Sequence, residues 1–475
     1  MPDWPIFLVH SSPVCCVNHR VGRPHLLEQL NTAFHTHLPA TFLFDYGSMR
    51  AIAEHLTGPD AQLPCKATCK RAQRTSQGLA MPLPGVVSRL AGARDTAQLC
   101  ALGTASGDAV HLVPRLRWIP TPTSPSAERH GGFVADAHRF DNTRFGVSPA
   151  EVRATDPQQR LLLEVAYASL HAIGERSHSL RAADLGVFLG IMNADFSSLQ
   201  KGNTVYAATG AAISVAAGRL SFVLGTQGPC ISYDTACSSS LVALHGAWSC
   251  VAAEEYWRGL VLAVSLMLTP RTHHVYAHAG MLAPNGRCRT FDMRADGYVR
   301  SEGVGAHVLC EEARGPTLLG GFVRSDGRSA SLTAPSGAAQ ARLIKTALSR
   351  ASEDALASIE AHGTGTPLGD PTELGGLQRA LCPASGPCVG SAKACLGHAE
   401  PVAGLAGLLA LVQMEGQGLR TLNAQLRVLN PLLNSPLHTL QAGISMQGAH
   451  ITEAKVKPQH QLCSAQHEFL DSAKD

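Results

Sequence analysis

Neither sign of charge dominates this sequence. Its 475 residues carry 39 Lys and Arg against 36 Asp and Glu, a formal net charge of +3, which excludes a strong pull toward nucleic acid or another polyanion. The one basic run, Lys66, Lys70, Arg71 and Arg74, is short and has no interleaved aromatic residues, so it reads as solvated linker. Long apolar runs are also missing. The longest, Pro401 to Val412, is too short and too rich in glycine to span a bilayer, and no membrane association is expected. The N-terminus has no basic region followed by an apolar core and a cleavage site. The 14 cysteines are scattered: Cys15 and Cys16 are adjacent and Cys65 and Cys69 lie four apart, but no second pair at zinc-ligand spacing follows. A metal scaffold is therefore not expected, and free thiols in a chain of this size suit a reducing compartment, the cytoplasm. What is present is ordinary globular material, 45% hydrophobic, long enough for about three domains or one large domain with appendages.

Residues 1–57 read as one small unit. His25 to Phe34 has helical spacing, with Leu26, Leu27, Leu30 and Phe34 on one face, followed by Leu38-Pro39-Ala40-Thr41-Phe42-Leu43-Phe44-Asp45-Tyr46 and a second helix, Met49 to Leu56. This stretch resembles the C-terminal half of an acyl carrier protein of the polyketide-synthase type. The resemblance places His19-Arg20-Val21 where a carrier has Asp-Ser-Leu. Arg20 has no hydroxyl to hold a phosphopantetheine arm, so the unit is expected to be a carrier remnant with no covalently bound cofactor. Residues 58–82 show no hydrophobic period and read as a linker.

From residue 83 to 450 the pattern is α/β. Asp156 and Pro157 mark a helix start, and Leu162, Val165, Ala166, Leu170 and Ile173 continue it to Gly174. Gly186 to Ile191 and Leu260 to Leu268 are continuous apolar runs of the kind buried strands show, and Val205 to Leu224 reads as one helix. Buried strands alternating with helices imply a layered architecture. The turn-rich stretch from Met281 to Gly303 is long for an idle loop in a compact domain.

Three segments carry chemistry. Pro229 to Asp234 reads as a strand running into a helix with Cys237 at the turn, where the helix dipole and unpaired N–H groups favour a thiolate; a buried structural cysteine is the competing reading. Glu360-Ala361-His362-Gly363-Thr364-Gly365-Thr366-Pro367-Leu368-Gly369-Asp370-Pro371-Thr372-Glu373 turns tightly after a short strand, and phosphate binding competes for such a turn, although no Gly-Lys-Ser/Thr follows. Lys393-Ala394-Cys395-Leu396-Gly397-His398 leads into an apolar helix from Val402 to Gln413.

Together the three segments resemble the β-ketoacyl synthases, specifically the polyketide-synthase branch. Arg129 to Phe133, Asp156 to Glu164 and Leu332 to Pro335 support the likeness, which runs from about residue 84 to 435. The resemblance implies a thiolase-like fold of two sheets layered α-β-α-β-α. It implies an acyltransferase that joins an acyl thioester to a malonyl-type carrier thioester by decarboxylative Claisen condensation. Cys237 corresponds to the acyl-accepting nucleophile, and His362 and His398 to the pair that stabilises the enolate. Lys393, Asp370 and Glu373 match positions that organise the histidines, and Thr364 and Thr366 match those that hydrogen-bond pantetheine. Substrates are expected on the phosphopantetheine of a separate acyl carrier protein, with other polyketide-synthase domains as partners and a homodimer as the assembly. Thiolases share the fold but use a second cysteine in a glycine-rich loop, a setting Cys463 lacks, and the chalcone-synthase branch has asparagine at the position of His398.

The likeness fades at the ends. The family closes with Gly-Val-Ser-Ser-Phe-Gly-Phe-Gly-Gly-Thr-Asn-Ala-His, whereas Leu440 to His450 keeps only the approach and residues 451–475 read as an unrelated polar tail. The last strands of the second sheet, and one backbone donor of the oxyanion hole, are therefore expected to be missing, which would lower activity. A non-condensing homologue with a structural role is the alternative expectation.

Overall fold

The computed structural model describes residues 31–32, 80–120, 125–200, 204–311, 316–327, 334–351, 356–381, 386–415, 423–444 and 461–463. The chain separates into two compact units, Met1–Thr75 and Ser76–Asp475. The carrier-like segment falls in the first, where only the helical residues 31–32 are described.

The second unit is built on two sheets. The first contains β1 (Val87–Leu90), β2 (Leu185–Ile191), β3 (Cys230–Tyr233), β4 (Arg258–Ser265) and β5 (Gly303–Cys310), in the order β1-β5-β4-β2-β3. The second contains β6 (Ser358–Glu360), β7 (Cys388–Gly390), β8 (Gly443–Ile444) and β9 (Gln461–Cys463), in the order β8-β7-β6-β9 and parallel throughout. Seven helices matter here: α1 (Pro157–Ala172), α2 (Ile213–Leu224), α3 (Ser239–Ala252), α4 (Gly337–Ala351), α5 (Gly369–Ala380), α6 (Ala403–Glu415) and α7 (Asn434–Leu440).

Their packing gives the layers. Leu161, Leu162 and Val165 of α1 and Leu220 of α2 cover one face of the first sheet, against Val187, Leu262 and Val304. The other face, with Phe188, Val261 and Leu309, packs on Ala243 and Ala247 of α3 and Leu408 of α6. Beyond the second sheet, Ile344, Leu374, Leu377 and Leu437 close a further core over Ile359 and Val389. The order is α-β-α-β-α, with α3 and α6 between the sheets. Because β2, β4 and β5 are covered on both faces, they are apolar on both rather than alternating, β4 from Gly259 to Val264 and β5 with the single exception of His307.

Two expectations are refined. Val205 to Leu224 is not one helix: Ala207–Ala211 and α2 are separated at Ala212, whose ψ of 124° is extended. Tertiary bonds make the break, since Gly210 O accepts the N–H of Asp156 at 2.8 Å and Gln159 Nε2 reaches the carbonyls of Gly210 and Ala212. Acceptors that a continuous helix would use internally are spent on α1. The second difference concerns the sheet expected to lack its last strands. Within the stretch read as a tail, β9 pairs with β6, Ile359 opposite Leu462 and Glu360 opposite Cys463.

Candidate active site

Cys237 sits between β3 and α3, not in the helix itself but in a single 3₁₀ turn, Ala236–Ser238. Ala236 has a φ of +52°. An L-residue there costs about 1–2 kcal/mol, so surrounding bonds must hold it. They are local: Ser239 Oγ accepts the N–H of Thr235 at 2.9 Å and donates to Ala236 O at 2.7 Å, while Ser238 Oγ donates to Thr235 O at 2.8 Å. From below, Gly190 of β2 lets α3 approach the sheet, since a Cβ on it would lie 2.7 Å from Ser240 N. The serines after Cys237 thus shape the turn.

His362 follows β6 on a loop whose form depends on Gly363 (φ +47°) and Gly365 (φ +78°). Two buried carboxylates shape it through the backbone. Glu373 accepts the N–H of His362 at 2.6 Å and of Gly363 at 2.9 Å; Asp370 accepts those of Gly365 at 3.1 Å and Phe291 at 2.8 Å. Thr290 Oγ1 adds a bond to Gly363 O at 2.6 Å. Burial pushes the Asp370 carboxyl up to about 7.

His398 follows the short helix Lys393–Leu396 and Gly397 at φ +80°. Its N–H donates to Val299 O at 2.8 Å, and its carbonyl accepts from Ser301 at 2.8 Å. The turn-rich stretch 281–303 is therefore a brace for both histidine loops. Behind it lies a buried network: Arg300 Nη2 donates to Glu400 Oε2 at 2.9 Å, Asn193 Nδ2 reaches the same oxygen at 3.0 Å, and Arg300 Nη1 meets His273 Nδ1 at 2.9 Å. Burial, and then the guanidinium, push His273 down to about 3, so its ring is a neutral acceptor. Sequence reasoning missed Arg300, Glu400 and Asn193, because the partners lie 100 and 207 residues apart in the chain.

The fold brings the three chemical segments to one point. One ligand-type atom each from Cys237, His362 and His398 lies within 4.8 Å of the others, all three residues buried. The two imidazoles stand edge to face, centroids 5.5 Å apart at 88°, and Tyr298 lies 5.1 Å from His398. Burial, and then Lys393, hold both histidines well below their usual range. Each ring is neutral and carries one N–H, as a donor to a developing oxyanion requires. His362 Nε2 and His398 Nδ1 have no hydrogen-bond partner among the described residues. Lys393 is buried beside them. Thr364 and Thr366 are on the same loop, hydroxyls 3.4 Å apart, with Thr366 also accepting from Gly369 N–H. The expected loss of one backbone donor of the oxyanion hole concerns the stretch that follows Ile444, and residues 445–450 lie outside the described residues.

Comparison with known proteins gives this geometry its context. Residues 84–314 match the family model of the β-ketoacyl synthase N-terminal domain, and residues 317–424 that of its C-terminal domain. The spectinabilin polyketide synthase system protein NorA' of Streptomyces orinoci is 39% identical over 414 residues, 81% of this chain and 11% of that protein. The polyketide synthase GfsE of Streptomyces halstedii is 36% identical over 440 residues, 86% of this chain and 11% of the relative. The chain thus spans only a small part of these curated relatives. Among solved structures, a ketosynthase from module 6 of the bacillaene synthase of Bacillus subtilis 168 superposes with a TM-score of 0.74 at 28% identity, covering 80% of this chain and 69% of that one. The Streptomyces albus JA3453 oxazolomycin ketosynthase domain OzmH KS7 gives 0.71 at 30% identity, covering 77% and 68%. Motifs, layers and matched length agree: the chain belongs to the β-ketoacyl synthase family, as a ketosynthase domain of the type I modular polyketide-synthase kind.

Proposed function

We propose that this chain extends an acyl chain by decarboxylative Claisen condensation, with Cys237, His362 and His398 as its catalytic residues. The observation that carries the reading is the buried triangle of one thiol and two neutral imidazoles. The Cys237 sulfur attacks an acyl thioester and expels the donor thiol, leaving acyl-Cys237. A malonyl-type thioester then loses CO2, and the electron pair of the broken C–C bond becomes an enolate. The N–H groups of His362 and His398 donate to its oxygen. The enolate carbon attacks acyl-Cys237, the new C–C bond forms, and the sulfur leaves. This sequence calls for no metal.

Glu373 and Asp370 serve by fixing the His362 loop, and Lys393 by keeping both rings neutral. Thr364 and Thr366, on the loop beside the triangle, are the proposed partners of the pantetheine amides of an incoming acyl carrier protein. Other polyketide-synthase domains are the further partners. Strand β3 is the outer strand of its sheet, with Ile231 38% exposed; an open edge of this kind supports a homodimer joined there. No described helix is long and apolar enough to cross a membrane, and the proposed reaction suits the cytoplasm.

The test is acylation. After incubation with an acyl N-acetylcysteamine thioester, the Cys237 peptide should gain the acyl mass, and a malonyl thioester should then discharge it as a β-ketoacyl product. A folded sample that forms no adduct would instead support the non-condensing homologue.

A further inference from the structure

One carboxyl group beside the triangle has no part in the steps above. Glu360 ends β6, two residues before His362, and is 1% exposed. Its Oε1 accepts the N–H of Ala392 at 2.7 Å, so it fastens the turn that carries Lys393 and, through Gly397, His398. Its Oε2 is buried without a partner. Room for this side chain is made by α6, where a Cβ on Gly407 would lie 2.9 Å from Glu360 Cγ and 3.1 Å from Oε1. The groups that bear on it are few. Lys393 on the turn favours its ionisation, as does the Ser391 hydroxyl, and Glu373 of α5 opposes it. Cys395 shares the turn, and α6 approaches the side chain at Gly407. Among the described residues no ion pair joins Glu360 to Lys393. An ionised carboxylate with one oxygen unpartnered in such a place is costly, and burial pushes this acid up to about 8.

We propose that Glu360 is a positioning residue for the condensation, holding the Lys393–His398 turn as an un-ionised acid so that the charge of Lys393 acts undiluted on the two histidines. The proposal rests on the condensing role given above. The Lys393 ammonium helps keep both imidazoles neutral and favours negative charge on the enolate they bind. When Glu360 loses its proton, the new carboxylate offsets Lys393 and repels that enolate. Condensation then falls on the alkaline side without any change in Cys237.

Two variants of the full chain test this. Glu360→Gln keeps an acceptor for Ala392 N–H and is neutral at every pH; Glu360→Ala keeps neither the acceptor nor the packing. Two readouts are needed: the pH dependence of condensation by acyl-loaded enzyme with malonyl N-acetylcysteamine thioester, and the infrared carbonyl stretch of a protonated carboxyl group. Glu360→Gln should run within about threefold of the parent at neutral pH and lack the parent's fall through about pH 8. Glu360→Ala should be slower throughout. The parent-minus-Gln infrared difference should show a protonated carboxyl at neutral pH that disappears in alkali. A common alkaline fall in parent and Glu360→Gln, or no protonated band at neutral pH, overturns the proposal. A parent that condenses at no pH overturns the condensing role and the coupling built on it; the infrared band reads the Glu360 proton independently, so the two failures are told apart.

Discussion

Replacing Glu373 by glutamine separates the work of His362 from that of Cys237. The Glu373 carboxylate receives two backbone N–H groups, from His362 at 2.6 Å and Gly363 at 2.9 Å. Glutamine retains one acceptor but turns an NH2 group toward the other N–H. One charge-assisted hydrogen bond is lost and one buried donor is stranded, together about 3 kcal/mol. The loop relaxes to relieve that conflict, and His362 moves with it; a displacement on the order of 1 Å costs about 10²-fold in rate. Cys237 is held by its own serines on another element, so its acylation should stay within about threefold of the parent while decarboxylation falls about 10²-fold. Acyl-adduct mass against time reads the first step, and release of labelled CO2 from a malonyl thioester reads the second. Urea denaturation supplies the stability term. Equal losses in acylation and decarboxylation, or an unchanged decarboxylation rate at a stability loss of about 3 kcal/mol, would refute the assignment of Glu373 to the His362 loop.

Gly190→Ala puts a Cβ 2.7 Å from the backbone nitrogen of Ser240; α3 must shift, costing about 1–3 kcal/mol, and Cys237 acylation should slow with no loss of the histidine loops' protection from hydrogen exchange. His307, on β5 opposite Val261, is fully buried with both ring nitrogens unpartnered, and burial holds it down to about 4. The unfolded chain therefore binds a proton that the folded one refuses between about pH 6.5 and 4, so stability falls as pH drops through that window, by roughly 3 kcal/mol from this group alone. His307→Val should flatten the slope of unfolding free energy between those pH values; an unchanged slope would show that His307 is not its source.

Much of this was legible beforehand for a local reason. Strands buried on both faces are predominantly apolar on both, and β2 and β4 were recognisable as such within a few residues. The Asp156-Pro157 start of α1 announces itself because the cap and the fixed proline φ are local; Asp156 does accept the N–H of Gln158 at 2.8 Å. The helix break at Ala212 was not legible, because it depends on bonds from Asp156 and Gln159 some fifty residues earlier. Nor was β9, three residues in a polar context whose strand character comes from pairing with β6.

The residue types of the site and the order of its three segments were determined by sequence alone, since each chemical task needs a particular functional group beside a particular turn. Tertiary structure decided what those groups are in place. The packing of β6, α6 and the Lys393 turn buries Glu360 without an ion partner among the described residues, and the burial of His362 and His398 themselves, with Lys393 near, holds both imidazoles neutral. Protonation state depends on what surrounds a group in space, and most of those surroundings are distant in the chain.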